Sequence, residues 1–168
     1  LEQKPFPRFS DDEFEGRRHA LIGAMQKMQV DHLLVCGEQR SGSGVQWITG
    51  WPATTEALVI FSPHEKSLMF MEWYNHWPLA QRIAQATDVE WGEHAGNDKV
   101  ITELQRRGAK RVGFMGPLAY RKCRKLEGPF EALVEMNREY VELRLIKSEE
   151  QLDWLRGVRL QKVVVMHA

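Results

Sequence analysis

Apolar residues recur along the first part of the chain at Phe14, Leu21, Met25 and Met28, spacings of seven, four and three that trace one face of a helix. Ser10 opens this helix as SDDE. A serine N-cap with Glu13 three residues on is a capping box, and Asp11 and Asp12 suit the positive helix end. The helix is expected to stop near Gln29, and its Met/Leu stripe reads as core. HLLVC (32–36) is a continuous apolar run of buried-strand type, and GEQRSGSG (37–44) is a loop by composition. VQWITG (45–50) reads as a short strand. EALVIF (56–61) and SLMFME (67–72) read as two strands joined by the turn SPHEK, where Pro63 cannot donate to a ladder.

Further on, LAQRIAQA (79–86) reads as a helix with Trp77-Pro78 at its start. VEW (89–91) is a brief strand. Asn97 is placed as the cap of DKVITELQRRG, whose Val100, Ile101 and Leu104 share a face and whose Gly108 ends it. RVGFMG (111–116) is a strand. PLAYRKCRKLEG and PFEALVEM (117–136) read as two short helices, and YVELRLI (140–146) as a final strand. Ser148 then opens a second capping box, SEEQ, closed by Gln151. Leu152, Leu155, Val158 and Val163 line one face of the helix that follows. That face either folds back on the domain or awaits a partner from elsewhere. Strands alternating with helices, with one hairpin among them, predict an α/β fold with a mixed sheet flanked by helices.

Composition leaves this picture intact. The chain has 168 residues, one domain's worth with a possible appendage. Lys+Arg and Asp+Glu both number 23, which gives no support for a general binder of nucleic acid or anionic membrane. Arg121, Lys122, Arg124 and Lys125 cluster, and read as a solvated helix face. Cys36 and Cys123 form no CxxC, so neither a disulfide framework nor a zinc knuckle is signalled. Cys36 reads as a small buried hydrophobe. No basic segment followed by an apolar core opens the chain and no stretch approaches a membrane span, so a cytoplasmic location is expected.

Catalytic motifs are sparse. Gly42-x-Gly44 lacks the third glycine of a dinucleotide fingerprint, and neither GxxxxGK[ST] nor GxSxG occurs. The six histidines (His19, His32, His64, His76, His94, His167) form no HxH or HExxH. Glu93-His94 reads as a surface pair, and Ser43 as part of a flexible turn rather than a nucleophile. No carboxylate-rich metal box is seen. The aromatics are denser: Trp47, Trp51, Trp73, Tyr74 and Trp77 fall around WITGWP and MEWYNHW. Two readings fit them. They fill a core between sheet and helices, or, with His76 and Arg40 nearby, they rim a binding surface or an interface.

Four stretches in order resemble the N-terminal domain of the creatinase/prolidase family, the Xaa-Pro dipeptidases, aminopeptidases P and creatinases. They are FEGRRHALIGAMQKMQVDHLLV (14–35), VQWITGWP (45–52), EALVIFSPHEKSLMFMEW (56–73) and VELRLIKSEEQLDWLRGVRL (141–160). The last is the most specific and is similar to the junction that joins the family's two domains. Gln46 and Trp47 depart from the family's commoner residues in the second stretch. The resemblance covers roughly residues 12–160. It implies a three-layer N-terminal domain over residues 1–143, and a linker with the first helix of an absent catalytic domain over 144–168.

The resemblance also implies function. In the family the later domain supplies two Asp, one His and two Glu that hold two divalent metals (Mn, Co or Zn), which activate a water for hydrolysis. Creatinases use the same fold without metal. None of those ligands maps onto this chain, so no catalytic residue, metal ligand or cofactor is expected within it. The N-terminal domain is expected to support a homodimer and to restrict the active site to small peptide substrates. The loop after the hairpin, with His76 and Trp77, is the expected substrate contact. The alternatives are the N-domain of a creatinase-like or ectoine-derivative amidohydrolase, or a stand-alone protein-binding module.

Overall fold

The computed structural model describes residues 8–38, 43–93 and 96–165, and the side chains of these except 43, 96, 97 and 158–165. Ser10 caps helix α1 (Asp11–Met28), its hydroxyl accepting from Glu13 N at 3.1 Å, and Gln29 closes the helix in the left-handed conformation. Strand β1 (His32–Gly37) follows, then α2 (Ser43–Thr49), β2 (Ala57–Phe61) and β3 (Ser67–Met71). A 3-10 turn (Tyr74–His76) leads into α3 (Trp77–Ile83), β4 (Thr87–Trp91), α4 (Gly96–Arg106) and β5 (Arg111–Met115). The chain continues through α5 (Tyr120–Glu127), β6 (Ala132–Glu135), α6 (Asn137–Leu143) and α7 (Glu149–Val165).

The six strands form one mixed sheet in the order β4-β3-β2-β1-β5-β6. β2 pairs antiparallel with β1 and β3, whereas β1–β5, β5–β6 and β3–β4 are parallel. Side chains alternate across the central strand, as the pleat requires. Leu33 and Val35 enter a core shared with Leu21, Met25 and Val45, while Leu34 and Cys36 enter a second core with Val100, Leu104 and Leu126. Helices therefore cover both faces, which is why β1, β2 and β3 are buried along their whole length. This is the expected three-layer α/β fold with a mixed sheet.

Three local readings are corrected. VQWITG contains helix α2, not a strand. Val45 and Thr49 lie one turn apart and both are buried, and the Thr49 hydroxyl donates to Val45 O at 2.8 Å. Burial of that face overrides the strand propensity of Val, Trp, Ile and Thr. PFEALVEM holds strand β6, not a helix, because β5 offers a parallel edge to Ala132–Glu135. YVELRLI is not a strand: Asn137–Leu143 is α6, with Tyr140 buried and an Arg138–Glu142 pair at 3.0 Å spanning one turn. Ile146 is 88% exposed, which no interior strand would allow. Smaller shifts occur as well. α3 begins at Trp77 and ends at Ile83, and α4 begins at Gly96, so Asn97 lies inside it. The loop at 39–42 with Arg40, together with His94 and His167, lies outside the described residues, as do the side chains of Ser43, Asn97, Val158 and Val163.

The last helix folds back on the first. Ser148 caps α7 through Gln151 N, at 3.1 Å. Neither capping box closes on itself. Ser10 gives its backbone N–H and hydroxyl to the Glu150 carboxylate at 2.7 and 2.6 Å, and Gln151 Nε2 donates to Glu13 at 2.6 Å. The start of α7 thus supplies the return bond of α1, and Gln151 ties the two helix starts together. Glu13 also accepts from Arg17 Nε at 2.7 Å, and the two side chains are only 9% and 7% exposed. Arg17 donates to Trp47 O at 2.9 Å and lies over the Phe9 ring at 4.3 Å. Phe9 in turn meets Trp154 at 5.2 Å. Leu155, on the predicted apolar face of α7, stays exposed.

Candidate functional site

β3 and β4 run parallel, and the chain between them carries the expected site residues. His76 ends the 3-10 turn, closed by His76 N donating to Trp73 O at 3.1 Å, and Trp77 starts α3, with Pro78 in its first turn where a missing N–H costs nothing. The two side chains diverge in setting. Trp77 packs against the core, and its indole N–H donates to Val89 O at 2.9 Å, which ties the turn to β4. His76 lies between two indoles, stacked on Trp73 at 6.0 Å and tilted against the buried Trp51 at 6.1 Å. Its Nδ1 is buried without a hydrogen-bond partner among the described residues.

The aromatic cluster divides into members packed in the core and members left exposed. Trp51 is buried, and Trp47 and Trp77 pack on the core. Trp73 and Tyr74 are more than half exposed, at 52% and 57%. Trp91 joins them from β4: its ring meets Tyr74 at 5.2 Å and its N–H donates to Glu72 O at 3.1 Å. The structure therefore places an exposed aromatic rim of Trp73, Tyr74 and Trp91 beside His76, at the edge of the sheet. Sequence reasoning did not include Trp91, since a brief strand gives no sign of which face is left open.

Among the described residues no group of three or more His, Cys, Asp or Glu is placed to hold a metal ion. The described residues therefore do not fit a divalent metal pair, and no step through one is derived from them. Burial pushes the Cys36 thiol up to about 12, so it is not a nucleophile near neutral pH. Three members of the basic cluster on α5 form ion pairs: Lys122 with Glu56, Arg124 with Glu127 and Lys125 with Asp98. Among the described residues no helix is long and apolar enough to cross a membrane.

No family model matches the chain, and no curated protein matches it by sequence. Solved structures do match it in fold. A Xaa-Pro dipeptidase from Bacillus anthracis aligns over 83% of this chain and 38% of its own length, at 18% identity and a TM-score of 0.68. The N-terminal domain of the cytoplasmic peptidase PepQ from Mycobacterium tuberculosis aligns over 77% of this chain and 98% of its own, at 15% identity and a TM-score of 0.64. The N-terminal, creatinase/prolidase-like domain of a Corynebacterium diphtheriae protein aligns over 73% and 94%, at 16% identity and a TM-score of 0.57. The chain thus spans well under half of the Bacillus dipeptidase. Its fold is that of the N-terminal domains of prolidases and Xaa-Pro aminopeptidases.

Proposed function

We propose that this chain is the non-catalytic N-terminal domain of a Xaa-Pro dipeptidase or aminopeptidase-P-like metallohydrolase of the cytoplasm. The observation that carries the reading is the fold shared with the Bacillus anthracis dipeptidase across 83% of this chain. On this reading the domain ends at Leu143, where α6 stops, and α7 leads into a catalytic domain that holds two divalent metals (Mn, Co or Zn). The N-domain supports the homodimer and narrows access to the active site. Trp73 and Tyr74 supply flat, exposed rings suited to stacking on a small apolar substrate group such as a proline ring. His76, with its unpartnered Nδ1, is positioned to gain a hydrogen bond when substrate or a neighbouring subunit arrives, and Trp77 anchors the turn that carries it.

The test uses the native protein from its source cell. An immunoblot raised against this chain gives its mass, and the purified protein is assayed on Xaa-Pro dipeptides with and without Mn²⁺. A much larger band with metal-dependent Xaa-Pro cleavage supports the reading. In that enzyme, His76→Ala is expected to change KM more than kcat. A native protein of this chain's own mass, or a larger one with no such activity under any divalent metal, overturns it.

A further inference from the structure

Where α6 turns into α7 the chain leaves a notch of about 310 Å³, against α2 and the start of α1. That volume falls in the range of roughly 300–1,000 Å³ that small-molecule sites occupy. Its lining is rich in cations, of which Arg17 is already paired with Glu13 at 2.7 Å. The ionisable side chains lining it are Arg17, Arg144 and Lys147, and no carboxylate lines it among the described residues, although the whole chain is formally neutral. Its apolar walls include Trp47 and Trp154.

The lining is braced from behind. Trp47 meets the Tyr140 ring edge-on at 5.8 Å, and Trp154 meets Phe9 at 5.2 Å. Arg17 is held by Glu13 and by Trp47 O. Arg144 donates to the Tyr140 hydroxyl at 2.8 Å, with its guanidinium 5.0 Å from that ring's centroid. The Lys147 ammonium donates to Arg144 O and, with three donors, has others to offer. Side chains already fixed in place lose little freedom when a ligand arrives. The notch exists because α7 is latched to α1, since Lys147 and Trp154 come from the returning segment.

We propose that this notch binds a small organic anion carrying a flat apolar ring, its carboxylate held by Arg144 and Lys147 and its ring against Trp47 and Trp154. Cations alone would take any anion and indoles alone any flat hydrophobe; the pair selects molecules with both features. The notch shares no lining residue with the Trp73–Trp77 segment. Binding here is therefore separable from the peptidase reading.

The test titrates the 168-residue chain with 3-phenylpropionate, followed by backbone amide shifts. The neutral amide of the same acid and plain acetate serve as controls. Saturable shifts confined to α2, α6 and the start of α7 are expected, with both controls far weaker. Lys147→Gln, at an exposed position, is expected to weaken binding on the order of tenfold, as loss of one charge-assisted hydrogen bond implies. Trp154→Ala is expected to weaken it without changing the fold, checked by the dispersion of the core amides. No saturable shift up to about 10 mM, a concentration well above the Kd of any useful site of this size, overturns the proposal. So do equal binding of the neutral amide, shifts elsewhere on the chain, or unchanged affinity in Lys147→Gln.

Discussion

Glu13→Ala should be among the most damaging single changes outside the core. Its carboxylate accepts from Arg17 Nε at 2.7 Å and from Gln151 Nε2 at 2.6 Å, and is 9% exposed. Removing it leaves the Arg17 guanidinium buried without its anion, and breaking one side of a buried pair costs about 3–5 kcal/mol. Arg17 keeps Trp47 O and the faces of Phe9 and Phe14, so the low end, about 3 kcal/mol, is expected. At about 2–4 °C per kcal/mol for a chain of this size, the melting midpoint should fall by about 6–12 °C. Burial raises the Glu13 carboxyl, but hydrogen bonds from Ser148, Gln151 and Arg17 outweigh it and hold it below the ordinary value. The folded pKa lies below the unfolded one, so this stability is present above the unfolded pKa and lost as pH falls through the folded pKa. The difference between wild type and variant should thus shrink in acid. Urea unfolding at pH 7 and pH 3 measures it, and hydrogen exchange should show faster opening of the first turn of α7. Adding Arg17→Met to Glu13→Ala should recover much of the loss, because no charge is then stranded. A single-variant cost below about 1 kcal/mol, or no recovery in the double variant, refutes the reasoning.

Three further outcomes are expected. Gly116 has φ of 87°, and a Cβ there would overlap the backbone carbonyl of Cys36, so Gly116→Ala should cost at least about 2–3 kcal/mol by urea unfolding. In a thiol-reagent titration at pH 8, native protein should expose one cysteine, Cys123, while the buried Cys36 with its pKa near 12 reacts only on unfolding. Asp31 is raised by burial, but bonds from Arg111 N, His32 and Lys110 N outweigh this and lower its pKa. Asp31→Asn should cost about 1–2 kcal/mol at pH 7, modest because the side chain is partly exposed, and should flatten the loss of stability as pH falls below the unfolded value near 4.

The aromatic rim shows how far a sequence reaches toward a site. MEWYNHW marks a turn rich in rings, yet which of them face solvent depends on β4 lying beside β3, twenty residues apart in the chain. His76 and Trp77 are adjacent in sequence but one ring sits between two indoles and the other is pinned to β4. The cationic notch was not legible at all, since its lining comes from α1, α2, α7 and the segments beside them, spread from Phe9 to Leu155.

By itself the sequence determined those elements whose signals are local. Ser10 and Ser148 start α1 and α7 because a hydroxyl meets the N–H three residues on, whatever the rest of the chain does. The hairpin β2–β3 needs only two apolar runs and a turn containing Pro63, and β1 holds a continuous apolar run buried from both sides. Tertiary structure decided the short ambiguous stretches. VQWIT, ALVE and NREYVEL each satisfy more than one period over so few residues. Burial of Val45 and Thr49, the edge of β5, and the docking of Tyr140 against Trp47 settled them as helix, strand and helix. Only the fold could pair Ser10 with Glu150 and Glu13 with Gln151, because hydrogen bonds between residues about 140 apart are chosen by where the packed layers bring the chain ends, and no local pattern carries that information.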